Sequence, residues 1–108
     1  MRYRSVLSPG AQAEISSAVR WYQRIDPNQA FRFMLEIRAT RRRIERFPYQ
    51  FPIVEATKYF SDPVRRAHLK HFPYSMYFRL NKDVASVKAI IHQRRDHTAW
   101  MDRGNGSY

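Results

Sequence analysis

At Pro48 the apolar residues of this chain stop recurring at helical spacing and begin to alternate. That change of period constrains the fold more than any other feature, because period 3.6 and period 2 bury different faces and cannot share one element. Before Pro48, Ser8-Pro9 is a helix start, with Ser as N-cap and Pro at the first helical position. Ile15, Ala18, Val19, Tyr22 and Ile25 follow as one stripe. Asp26-Pro27-Asn28-Gln29 starts a second helix, with Asp26 as cap and Gln29 at the capping-box position. This helix turns Ala30, Phe33, Met34, Ile37, Ile44 and Phe47 inward and Arg38, Arg41, Arg42, Arg43 and Arg46 outward. So short a connection makes the two helices a hairpin.

Strand patterns flank the hairpin. Tyr3 to Leu7 places Tyr3, Ser5 and Leu7 on one face. Pro52 and Pro63 bracket Ile53 to Phe60, which has room for one strand and a loop. Arg65 to His71 sets Ala67 and Leu69 against Arg66, His68 and Lys70, and Tyr74 to Leu80 sets Tyr74, Met76, Phe78 and Leu80 against Ser75, Tyr77 and Arg79. After an Asn81-Lys82-Asp83 turn, Ala85, Val87, Ala89 and Ile91 point inward, with Ser86, Lys88, Ile90 and His92 outward. The expected fold is α+β: an antiparallel sheet of four or so strands packed on an N-terminal helical hairpin, in the order β-α-α-β-β-β. Residues 1–103 form one domain, and the small polar residues of 104–108 read as a disordered tail.

The outward sheet face collects Arg66, His68, Lys70, Tyr77, Arg79, Lys88 and His92, and beyond it come Arg94, Arg95 and Trp100. Twenty Lys and Arg against nine Asp and Glu, a net charge of +11, favour phosphate-rich or acidic partners. Guanidinium groups hold phosphate or carboxylate in a planar fork, and an indole stacks on a base or fills a protein pocket. A solvated charged face, with Asp96 or Asp102 pairing the arginines and Trp100 closing the core, explains the same residues.

Other chemistries fit poorly. With no cysteine there is no thiolate metal site, disulfide or Cys nucleophile. His68 and His71 fall on opposite strand faces, and His92 brings no acidic ligand, so neither metal nor cofactor is expected. No serine sits in a nucleophile elbow, and three glycines are too few for a phosphate-cradling loop. Glu14, Glu36, Glu45 and Glu55 read as solvated faces or helix pairs. The N-terminus is too short in apolar residues for a signal peptide and no stretch reaches the ~20 a membrane span needs, so the expected location is the cytoplasm, away from membranes.

Blocks spread over nearly the whole chain resemble the RelE/ParE superfamily, often called plasmid stabilisation proteins. They are Leu7-Ser8-Pro9-Gly10-Ala11 before Ala18-Val19-Arg20-Trp21-Tyr22; Ala30-Phe31-Arg32-Phe33 with Ile37 and Ile44; and Phe47-Pro48 before Phe51-Pro52. Arg65-Arg66-Ala67-His68-Leu69, Phe72-Pro73-Tyr74-Ser75-Met76-Tyr77, Val84 to His92, Arg94-Arg95-Asp96-His97 and Trp100 complete the series. The resemblance implies the toxin of a type II toxin–antitoxin system, held in a hetero-oligomeric complex by an acidic cognate antitoxin.

It does not imply one target. RelE-type members cleave mRNA on the ribosome without a metal; ParE-type members poison DNA gyrase and are not hydrolases. On the RelE pattern, Lys70, Arg79 and Arg94 or Arg95 are the candidates for stabilising the transition state. The position where that pattern has a tyrosine holds Trp100, whose indole does not titrate, which leaves Tyr77, His68 or His92 to move protons in a nuclease. That departure favours the ParE-like reading, with the basic face and tail as a binding surface. A non-toxic binding module is the third alternative.

Overall fold

The computed structural model describes residues 2–94. Strand β1 (Arg4–Leu7) leads into α1 (Pro9–Ile25) and α2 (Pro27–Arg46). Two 3₁₀ turns, Pro48–Gln50 and Glu55–Thr57, precede β2 (Val64–His68), β3 (Tyr74–Asn81) and β4 (Val84–His92). Both helix starts form as the sequence predicts. The Ser8 Oγ accepts from the Ala11 N–H at 3.0 Å and Pro9 opens α1. Asp26 closes one helix and opens the next: its N–H donates to the Tyr22 carbonyl at 2.7 Å while its carboxylate accepts from the Asn28 N–H at 3.0 Å. Each such cap satisfies backbone groups that a helix end otherwise leaves unpaired.

The four strands lie in the order β1-β4-β3-β2. The α+β architecture and helical hairpin match expectation, but β1 pairs parallel to β4, so the sheet is mixed rather than antiparallel. No local turn joins β1 to β4, and alternation within a strand carries no information about its direction beside a remote partner. The β3–β4 turn is where the sequence places it, with Lys82 at φ 56° in the left-handed region. Segment 53–60 does not supply a full strand. Ile53 makes a single bridge to Arg65, the Val54 N–H donates to the Val64 carbonyl at 2.7 Å, and the Thr57 Oγ1 accepts from the Val64 N–H at 2.9 Å. These bonds cover the β2 edge that would otherwise be open for strand addition.

The main core lies between helices and sheet, where Phe33, Ile37 and Ile44 meet Ala67, Leu69, Met76, Phe78 and Val87. Three expected core residues are on the surface instead. Ile25 is the last residue of α1, Met34 flanks the stripe, and Phe47 swings outward at the non-helical end of α2. A bulge at the Tyr77/Phe78 step corrects the expected faces of β4, because Tyr77 pairs with Ala89 and Phe78 with Val87, leaving Lys88 as the extra residue. One added residue reverses the alternation beyond it. Ile90, expected outside, therefore joins the core under the helices, while Ala89 and Ile91 join Val64, Tyr77 and Val54 in a smaller cluster on the other face.

Three of the glutamates expected on solvated faces instead tie helices to the rest of the chain. Glu14 on α1 accepts from the Ile90 N–H at 2.8 Å, beyond the point where β1 ends. The Glu45 Oε2 accepts from the Ser5 hydroxyl at 2.6 Å, and Arg41 donates to the same residue's Oγ and carbonyl. Glu36 accepts from the His71 N–H at 2.7 Å and faces its Nδ1 at 2.9 Å, which holds the β2–β3 turn against α2. A glutamate on a helix and a backbone N–H remote in sequence have no common local pattern, so only the packed fold brings them together.

Candidate functional site

β2 and β3 carry the predicted residues Arg66, His68, Tyr77 and Arg79 on the sheet face away from the helices, because their inward neighbours Ala67, Met76 and Phe78 fill the main core. Arg66 is directly opposite Tyr77, and His68 opposite Ser75. This face is less open than alternation implies. Tyr77 is fully buried, and burial pushes its phenol above the ordinary value; the adjacent Arg66 guanidinium pulls the other way without winning. A phenol so placed stays protonated at neutral pH and is no base. Arg79 donates from Nε to the Asp62 carbonyl at 2.6 Å and lies over the Phe60 ring. His68 is the accessible member: its Nδ1 sits 2.5 Å from the buried Ser75 Oγ and 3.4 Å from the Gln93 side-chain amide.

Two predicted members leave the face. Lys70 lies beyond the end of β2, and with Arg32, Leu35, Arg43, His71 and Phe72 it lines a cavity of about 640 Å³ beside α2. The strand pattern from Arg65 to His71 overran because the chain bends where Glu36 captures the turn. His92, past the bulge, is on the helix side, its ring edge-on to Tyr74 at 5.1 Å in a cavity shared with Trp21 and Tyr22. Lys88 is the bulged residue and its carbonyl accepts from the Ser8 hydroxyl. Arg94 is exposed, with its N–H donating to the His92 Nδ1 at 3.2 Å. Arg95 and Trp100 lie outside the described residues.

A second cationic surface went unread in the sequence. Between the end of α2 and β2, guanidinium and ammonium groups sit over aromatic rings: Arg43 over Phe51, Arg46 over Phe47, Lys58 over Tyr59 and Arg65 over Tyr49. Its signal was the run Arg46-Phe47-Pro48-Tyr49 and the pair Lys58-Tyr59, where cation and ring are neighbours. Among the described residues no three of His, Asp and Glu converge as a metal site, and no helix is long and apolar enough to cross a membrane.

No family model matches the chain, and no curated protein matches it in sequence. Its fold is that of a chain in a solved structure described as a chromosomal ParDE TA system from P. aeruginosa. The two superpose with a TM-score of 0.68 over 84% of this chain and 96% of that one, at 16% identity. The RelE/ParE-like fold expected from the sequence is thus observed, with β1 parallel in it.

Proposed function

We propose that this protein is the toxin of a toxin–antitoxin pair and that it acts as a poison of DNA gyrase rather than as a nuclease. Support for the toxin comes from the fold shared with a structure described as a toxin–antitoxin system, and from the net charge of +11, which suits an acidic neutralising partner. The observation that carries the choice of target is the dispersal of the candidate catalytic set. Metal-free cleavage of RNA needs cations to stabilise the phosphorane and a titrating group within reach of the moving proton. Here Arg79 is committed to Asp62 and Phe60, Tyr77 is buried and protonated, and Lys70 and His92 point away from the face. His68 and Arg94, both exposed, remain as a recognition surface, with Arg66 half-buried against Tyr77. Acting on gyrase in this way requires no catalytic step by the toxin itself, and its site of action is the cytoplasm.

Purified protein should inhibit supercoiling and accumulate cleaved DNA in the presence of gyrase. Absence of both at large molar excess, from protein that arrests growth, would remove this target. One observation favours the RelE-like alternative: the His68 ring is accessible and oriented by Ser75, with Arg66 two residues away on the same strand. Primer extension on ribosome-bound mRNA tests it, since cuts that disappear with His68→Ala would replace gyrase by mRNA as the target.

A further inference from the structure

At the corner where α2 ends, two aromatic rings stand out of the surface with cations against them. Pro48 is buried and pins the 3₁₀ turn, so both of its neighbours face outward: Phe47 is 57% exposed and Tyr49 66%. The Arg46 guanidinium lies 5.7 Å from the Phe47 centroid and that of Arg65 lies 4.9 Å from the Tyr49 centroid. Tyr3 closes the corner. Its N–H donates to the Glu45 carbonyl at 2.8 Å, its ring meets Tyr49 edge-on at 6.2 Å, and the two hydroxyls are 3.3 Å apart. Glu45, the nearby carboxylate, is already engaged by Ser5.

We propose that the Tyr3–Phe47–Tyr49 corner binds single-stranded nucleic acid. A cation on one face of a ring leaves the other face for a flat π-system; Arg65 is held over Tyr49 by its bond to the Phe51 carbonyl at 2.8 Å, while the Arg46 guanidinium can turn its edge to a phosphate. Bases offer that π-face only when unstacked, so a single strand fits where a duplex does not. An apolar protein partner would leave Arg46 and Arg65 facing uncharged surface, whereas a strand with a phosphate at every base matches rings that alternate with cations. Stacking and phosphate contacts use neither a particular base nor the 2′-hydroxyl, so RNA and DNA strands are bound alike. The inference does not rest on the choice of gyrase as target.

Fluorescence anisotropy of the full-length protein with labelled oligouridine, oligothymidine and a short duplex tests it. Both single strands should bind more tightly than the duplex. Phe47→Ala and Tyr49→Ala should each weaken binding about tenfold, with Tyr49→Phe close to the original protein. Arg46→Ala should flatten the dependence of log K on log salt by roughly 0.7. Trp21→Ala, which removes an exposed ring on α1, should change nothing. Circular dichroism confirms that each variant is folded, and Phe47→Ser takes the place of any alanine variant that is not. Duplex binding as tight as single-strand binding, or folded Phe47 and Tyr49 variants that bind unchanged, would overturn the proposal. So would the absence of nucleic-acid binding together with a loss of gyrase binding in Tyr49→Ala, which would make the corner a protein contact.

Discussion

The two faces of the sheet are built by different rules. Under the helices, apolar side chains from α1, α2 and the inward positions of the strands pack with Phe33, whose ring meets Tyr22, Phe72 and Tyr74 at 5.2–5.4 Å. On the other face a small cluster around Tyr77 sits among charged groups, of which Arg66 lies against Tyr77 and Arg79 is held by a backbone carbonyl and a ring. The first face resembles any protein interior, where shape decides. The second is a thin apolar layer whose cations serve the fold as much as any ligand, so charge on a strand pattern is a poor guide to a free binding surface.

The largest break in that comparison should come from the packed face. Phe33→Ala should lower stability by about 3–5 kcal/mol in urea denaturation, as loss of a large buried ring does. A loss near 1 kcal/mol would mean the helices close over the gap and that the interior is looser than its geometry suggests. Next is the tie between helix and sheet: Glu14→Ala leaves the Ile90 N–H without its carboxylate acceptor and should cost about 1–3 kcal/mol, with faster hydrogen exchange at that amide. Arg79→Ala should cost about 1 kcal/mol through the lost bond to Asp62, while poisoning per folded molecule is retained. Lost poisoning with stability intact would reverse the reading of that arginine and return it to the target surface.

A smaller effect is confined to acid. Burial would raise the Glu36 carboxyl, but the bonds from His71, the His71 charge and the Lys70 N–H outweigh it and hold the group below 4.5. Because the folded pKa is the lower one, the stabilisation is complete above pH 4.5 and disappears as pH falls through the folded value. Stability measured from pH 6 downward should therefore fall more steeply in the original protein than in Glu36→Gln, and equal slopes would detach Glu36 from the turn. Smallest of all, Ile25→Gln should stay within about 0.5 kcal/mol, since this side chain is 62% exposed.

Local signals in the chain were read correctly where they act locally. Ser8-Pro9, Asp26-Pro27 and the turn at Asn81-Lys82-Asp83 bias the backbone by their own chemistry, and the stripe through Phe33, Ile37 and Ile44 buries as its spacing requires. For the candidate site, Arg66, His68, Tyr77 and Arg79 share a face because alternation is strict up to the bulge. Lys70 and His92 were misplaced where alternation stops, at a bend and after one inserted residue, and neither event leaves a composition signal.

The face first suspected of binding was therefore half determined by the chain itself. Sequence alone established a basic α+β domain with a helical hairpin, because capping and periodicity are properties of neighbouring residues. Tertiary structure alone decided that β1 runs parallel to β4, that Glu14, Glu36 and Glu45 tie helices to remote backbone, and that Arg79 is held while His68 is accessible. Each of these depends on which distant groups meet, and such meetings are selected by the packing of the whole chain rather than by any segment's own preference.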